Sequence, residues 1–289
     1  MVKGFDVNGL VVIDKPGGMT SRDVVNRVQK LFPRGTKIGH TGTLDPLATG
    51  VLVVCVGAAT RLADFVQAMG KSYASRFRLG ATSDTDDADG VVTETLRVSI
   101  PTREELDAAL AKFVGEIAQV PPAYSALKVD GRRAHDLARR GAAPELAARR
   151  VNVYAVRLRA YEYPFADVEI DCGKGTYIRS IARDAGAALG CGGMVQTLRR
   201  TRIGPFRAAD ATELDAPPKL LPMALAVGEL RQLTANDDVA RRFRQGQTVR
   251  LTDEVEAGTR VAVLDERGGL VGVGVVERGG VKPTTVLPA

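Results

Sequence analysis

Residues 39–50 read Gly39-His40-Thr41-Gly42-Thr43-Leu44-Asp45-Pro46-Leu47-Ala48-Thr49-Gly50. Gly39, Gly42 and Gly50 let the backbone turn sharply or approach a ligand closely. Pro46 disfavours helical geometry at Asp45 and pushes it toward an extended conformation. On one side, Val24, Val25, Val28, Leu31 and Phe32 recur at helical spacing and predict a helix over about 21–31. On the other, residues 51–56 are an unbroken apolar run that predicts a buried strand. Asp45 therefore sits on a fixed loop between a helix and a strand. An Asp-Pro turn without chemistry is the alternative reading of the same residues.

Further out, Gly9 to Asp14 reads as a buried strand that ends in Lys15-Pro16-Gly17-Gly18. Residues 72–79 alternate, with Tyr73, Ser75, Phe77 and Leu79 on one face, as a half-buried strand does. Thr102 and Glu105 form a capping-box pattern that opens a helix over 102–117. Long strands are expected at 151–162 and 165–172, and a helix at 177–189. These strands come as meanders and pairs, without a regular βαβ repeat, so the fold class is α+β with a mostly antiparallel sheet. Asp215-Ala216-Pro217-Pro218 looks like a joint. Beyond residue 230, a helix at 235–245 and strands at 247–251, 259–265, 270–277 and 281–287 predict a small β-rich module. The expected division is residues 1–229 and 230–289.

Composition narrows the function. The chain of 289 residues is long enough to bury a large core. No apolar run reaches the roughly 18 residues of a membrane helix, and the N-terminal stretch lacks a signal-peptide cleavage pattern. A cytoplasmic protein is expected. Cys55, Cys172 and Cys191 stand far apart, and His40 and His135 are the only histidines. That set offers neither a disulfide framework nor a zinc site. Gly272-Val273-Gly274 lacks the third glycine of a dinucleotide fingerprint, and Gly173-Lys174-Gly175-Thr176 lacks the upstream glycine of a phosphate loop. The acidic run 84–90, aligned as a calcium loop, puts Leu96 where a bidentate glutamate is needed. Neither histidine lies near a nucleophile elbow. No cofactor and no metal are expected.

The net charge is +6, from 40 basic and 34 acidic residues, but the distribution is uneven. Residues 131–160 hold eight arginines against Asp136 and Glu145, and 176–210 hold six more against Asp184 and Asp210. Clustered arginine suits a phosphate backbone, since its planar fork binds phosphate bidentately and stacks on bases. A solvated charged face is the competing reading.

The run GHTGTLDPLATGVL closely resembles the signature of the TruB family of tRNA pseudouridine-55 synthases. Supporting segments follow in the family's order: IDKPGGMTS at 13–21, KSYASRFRLG at 71–80, PPAYSALKVDGRRAHDLARRG at 121–141, GKGTYIRSIARDAGAALG at 173–190 and LRRTRIGPF at 198–206. The resemblance covers residues 9–215. The tail GGLVGVGVVERGGVKPTTVL resembles, more loosely, a PUA domain, an RNA-binding appendage. The resemblance implies a pseudouridine synthase catalytic domain followed by a PUA-like domain. It implies isomerisation of uridine 55 in the T stem-loop of tRNA by a monomer, without a cofactor. Asp45 matches the nucleophilic aspartate and Arg179 the arginine that pairs with it. Tyr73 matches the tyrosine that stacks on the target base, Tyr177 and Leu198 match pocket-lining residues, and His40 matches the histidine that fills the space left by the extruded nucleotide. Lys15, Lys128, Arg132, Arg133, Arg199 and Arg200 are expected to contact RNA. A non-catalytic RNA-binding or RNA-folding protein would share the basic stretches, but has no use for the grouping of Asp45, Arg179 and Tyr73.

Overall fold

The structure is a computed structural model and describes residues 7–95, 99–125, 127–129, 132–134, 137, 146–250 and 255–289. Strands β1 (Gly9–Lys15), β2 (Ile38–His40), β3 (Thr49–Val56) and β4 (Lys71–Leu79) come first, with helices α1 (Ser21–Gln29) and α2 (Ala63–Ala68) among them. A hairpin, β5 (Ala81–Ser83) and β6 (Val92–Glu94), leads to α3 (Arg103–Ala111), β7 (Gly115–Gln119) and the two-residue strands β8 (Lys128–Val129) and β9 (Arg132–Arg133). Next are β10 (Arg149–Glu162), β11 (Phe165–Cys172), α4 (Ile178–Ala188), β12 (Gly193–Ile203), β13 (Phe206–Arg207) and β14 (Thr212–Glu213). The chain closes with β15 (Arg231–Ala235), α5 (Asp237–Arg244), β16 (Arg260–Asp265), β17 (Leu270–Glu277) and β18 (Gly280–Val286).

One ten-stranded sheet dominates, in the order β14-β1-β3-β12-β4-β11-β10-β7, with β13 on β12 and β2 on β3. Only β1–β14 and β3–β12 pair in parallel. The fold is therefore α+β and mostly antiparallel, as the strand pattern implied. The alternation along β4 is realised: Tyr73, Ser75, Phe77 and Leu79 are buried. Tyr73, Phe77 and Leu79 join Ile178, Ile181 and Ala182 of α4 in one hydrophobic cluster. Helix α1 starts at a capping box in which Thr20 accepts from the Asp23 amide and Asp23 accepts from the Thr20 amide. Helix α3 is shorter than the expected 102–117. Gly115 adopts φ +108°, outside helical space, and residues 115–119 pair with β10 instead.

The second sheet runs β15-β16-β17-β18. Its first strand, parallel to β16, was not expected from sequence. The strand expected at 247–251 is reduced to a bridge between Val249 and Val281, and residues 251–254 lie outside the described residues. Leu10, Val12 and Val53 of the first sheet share a hydrophobic cluster with Ala262, Leu270, Val273 and Leu287. Arg61 also donates to the Val286 carbonyl at 2.7 Å.

Candidate active site

The loop carrying Asp45 is pinned on both sides by the segment joining β1 to α1. Lys15, fully buried at the end of β1, donates to the carbonyls of Pro16 (2.8 Å), Met19 (2.6 Å) and Pro46 (3.2 Å). An ammonium has three N–H donors, so all are used. Burial lowers the Lys15 pKa to about 8, and the nearby Asp45 charge opposes that fall. The Ser21 hydroxyl accepts from the Leu44 amide at 2.8 Å and donates to the Leu44 carbonyl at 3.1 Å. The Gly18 amide donates to the Pro46 carbonyl at 2.9 Å. The residues before and after Asp45 are thus held from the same short stretch, which leaves its side chain to point outward.

That side chain meets Arg179. The Nη2 atom of Arg179 lies 2.9 Å from Oδ2 of Asp45; the arginine side chain is 4% exposed and the aspartate 35%. The guanidinium is held from below by the Thr85 carbonyl (2.6 Å), the Tyr124 carbonyl (2.9 Å) and the Asp87 carboxylate (3.4 Å). Asp87 is buried, which pushes its pKa up; the Thr85 hydroxyl and Arg179 resist this. Arg183, one helical turn on, pairs with Asp86 at 2.9 Å and ties α4 to the same acidic turn. The run 84–90, dismissed from sequence as a failed calcium loop, is the seat of this arginine. Two acidic residues whose partners lie about 90 positions away gave no local signal. Among the described residues no cluster of metal-ligating side chains occurs.

A second arginine lies beneath the loop. Arg200, expected to contact RNA, is 2% exposed. It donates to the carbonyls of Val51 (2.8 Å), Thr43 (3.4 Å) and Gly42 (3.2 Å). Its guanidinium also hydrogen-bonds the Tyr73 phenol, opposing the upward push that burial gives the tyrosine pKa. The strand register explains the placement: Arg200 is opposite Tyr73 on one side and Gly50 on the other. Lys15 is likewise an internal anchor and not a surface contact. Side chains alternate along β12, so Arg200 turns inward where its neighbour Arg199 turns outward, and Lys15 is closed over by the Pro16, Met19 and Pro46 carbonyls it meets.

Tyr73 is 8% exposed and Leu198 is 7% exposed; both pack in the cluster that includes Leu44 and Ile178. Tyr177 caps α4, with its amide donating to the Gln119 side chain at 2.8 Å. Burial raises its phenol pKa, and Ser125, Asp45 and Arg179 all act on it. His40 is half-buried at the end of β2. Asp45, Arg179, Tyr73, Tyr177 and Leu198 are thereby brought together from β4, β12, α4 and one loop. Arg199 is partly exposed and forms a bidentate pair with Asp14 (2.9 and 2.6 Å). The side chains of Lys128, Arg132 and Arg133 lie outside the described residues. Much of the basic stretch 149–159 is paired: Arg150 with Glu116, Arg157 with Asp171, and Arg159 with Glu169. These acids come from neighbouring strands, so a count along the sequence missed them.

Three family models match this chain. The TruB family pseudouridylate synthase N-terminal domain matches residues 29–178. The tRNA pseudouridylate synthase B C-terminal domain matches 179–217, and the pseudouridine synthase II TruB C-terminal model matches 232–287. A tRNA pseudouridine synthase B of Xanthomonas campestris pv. campestris is 41% identical over 285 residues, covering 95% of this chain and 92% of the relative. One from Mycobacteroides abscessus is 51% identical over 212 residues, covering 72% and 71%. Among solved structures, a chain from an H/ACA RNP bound to a substrate RNA containing 2′-deoxyuridine has the same fold. It gives a TM-score of 0.74 at 24% identity over 97% of this chain and 85% of that one.

Proposed function

The chain belongs to the TruB family of pseudouridylate synthases, and from that premise we propose that it isomerises uridine 55 in the T-loop of tRNA, with Asp45 as the attacking group. The observation that carries the residue assignment is the 2.9 Å pair between a buried Arg179 and a partly open Asp45. A carboxylate held in this way can serve as nucleophile or base without a metal, and the 2.9 Å contact with the guanidinium orients it.

In the isomerisation the C1′–N1 bond breaks and a C1′–C5 bond forms. The proton leaves C5, and N1 ends protonated. Asp45 acts at the sugar, either by attack at C1′ or by assisting loss of the 2′ proton to a glycal. Tyr73 stacks on the base while it turns, and Tyr177 and Leu198 wall the pocket. The target is inaccessible inside a folded loop, so it is flipped out at a cost of a few kcal/mol, offset by stacking and hydrogen bonds in the pocket. His40 fills the space it leaves. The stem is recognised by shape and phosphates with little base reading, through Arg199 and the basic segment that includes Lys128, Arg132 and Arg133. Residues 230–289 act as a PUA-like RNA-binding unit. One chain supplies the whole constellation, so the enzyme works as a monomer, in the cytoplasm where tRNA is matured.

The test is tritium release from RNA labelled at uridine C5. Asp45→Asn preserves shape and removes charge; it is expected to release no detectable tritium while binding RNA with affinity near that of the native protein. Equal release by the two proteins overturns the assignment.

A further inference from the structure

A basic cleft lies where the far end of the first sheet meets the C-terminal sheet, and nothing in the proposed chemistry uses it. It has a volume of about 630 Å³ and is lined by Arg34, Lys37, Arg61 and Arg244 with no carboxylate among its lining residues. A second concavity of about 560 Å³ shares Arg34 and Lys37 and adds Lys30. Among the described residues, Lys30, Arg34 and Lys37 make no ion pair. Arg244 stands on the far wall of the cleft. Its Nε atom is buried without a hydrogen-bond partner among the described residues, and its nearest acid, Asp265, stands 4.0 Å away.

The floor of the cleft is rigid. The Gly57 amide donates to the Lys37 carbonyl at 2.7 Å. The Asn8 side chain accepts from the Ala58 amide at 2.6 Å. Gly57 has φ +62°, and a Cβ there would meet Asn8 Oδ1 at 2.2 Å. The arginines along β10 and β11 are matched to carboxylates, whereas four cations here face one space with no acid in its walls.

We propose that this cleft binds backbone phosphates of the tRNA body, outside the hairpin that carries the target uridine. The inference rests on the reading of the chain as a tRNA-modifying enzyme, and the position of the cleft carries it further. Strand β3 runs from Thr49, beside the Asp45 loop, to Val56, beside the cleft. At about 3.3 Å per residue the seven steps of the strand span about 23 Å. Phosphates at that distance from the target belong to the far end of a hairpin stem or to the tRNA body beyond it, and only a full-length tRNA supplies the latter. Phosphate recognition is favoured over base reading because the lining offers charge and no exposed aromatic ring.

The double variant Arg34→Glu/Lys37→Glu tests this. Both side chains are exposed and unpartnered, so the fold is undisturbed, which a melting curve verifies. Binding of full-length tRNA and of a five-base-pair hairpin bearing the target uridine is measured by filter retention across a salt series. The expected result is at least a tenfold loss of tRNA affinity, with the log–log salt slope shallower by about 1.5, near 0.9 for each lost phosphate contact at most. Hairpin affinity stays within twofold. The milder Arg34→Ala/Lys37→Ala pair shows the same pattern at smaller amplitude. Unchanged tRNA affinity overturns the proposal, as does an equal loss for hairpin and tRNA. Saturable retention of inorganic phosphate by the cleft with no effect of the variants on tRNA likewise overturns it, in favour of a free anion. Tritium release from the hairpin reads the Asp45 chemistry separately, so failure of that reading is told apart from failure of this one.

Discussion

Arg200 is a cation whose work is done on backbone. Its fork reaches carbonyls at Gly42, Thr43 and Val51, before and after the bend that carries Asp45, and it also meets the Tyr73 phenol. A lysine keeps the charge but presents a point donor in place of a planar fork. Arg200→Lys is therefore expected to lower kcat by about tenfold or more, equivalent to about 1.4 kcal/mol. That is less than the full loss of one hydrogen bond to a charged donor, about 1.5–3 kcal/mol. KM for tRNA should move less than threefold, because the side chain does not face solvent. Steady-state kinetics distinguish the outcomes: a rise in KM with constant kcat makes Arg200 an RNA contact after all. Here sequence reading failed for a physical reason. Leu198-Arg199-Arg200 reads as a basic surface run, and only the strand register shows that successive side chains face opposite ways, Arg199 to Asp14 at the rim and Arg200 inward.

At the scale of elements, the parallel seam of β3 and β12 decides whether the site exists. Gly50 adopts φ +97°, and a Cβ at that position would lie 2.2 Å from the Arg200 carbonyl oxygen. The obstacle is backbone, which cannot step aside as a flexible side chain does. Gly50→Ala is expected to destabilise the protein by at least about 2 kcal/mol, combining positive-φ strain with the clash. It should also reduce turnover beyond the loss of folded protein. Urea unfolding and active-site titration check the two effects. The glycine itself was legible, since it closes a loop between predicted elements, and so were α1, β3, β4, β10, β11 and α4, whose periodicity is strong. What sequence could not disclose was pairing at long range. The acidic seat of Arg179 at 85–87, the ion pairs along β10 and β11, and the central position of β12 all depend on residues about 10 to 190 positions apart meeting across strands. Asp45 stood out because its neighbours restrict backbone geometry locally, and the family resemblance supplied the partners that spacing could not.

Over the whole molecule, buried titratable groups give stability an alkaline profile. Burial brings Lys15 and Lys71 down to about 8 from 10.5. Between pH 8 and 10.5 the unfolded chain binds more protons at these sites than the folded one, so stability rises with pH there. Burial raises Cys55 to about 12 and Cys172 to about 11 from 9. Above pH 9 the folded form retains protons that the unfolded form has lost, and stability falls. Net charge, which vanishes near pH 9.3, adds least repulsion in the same region. The expected result is a climb in unfolding free energy from pH 8 to 9 and a decline above about pH 10, measured by urea titration at each pH. Replacing both lysines by methionine should flatten the climb; a climb that survives intact refutes its attribution to them. The contact between Val51 and Arg200 spans 149 positions, and this governs when activity first appears during synthesis. At 5–20 residues per second, a ribosome needs about 7 to 30 s to deliver the second partner after the first. Over that interval the nascent polypeptide owns its acid but lacks the clamp that sets it. A chain released before residue 179 lacks both Arg179 and Arg200 and is expected to be inert.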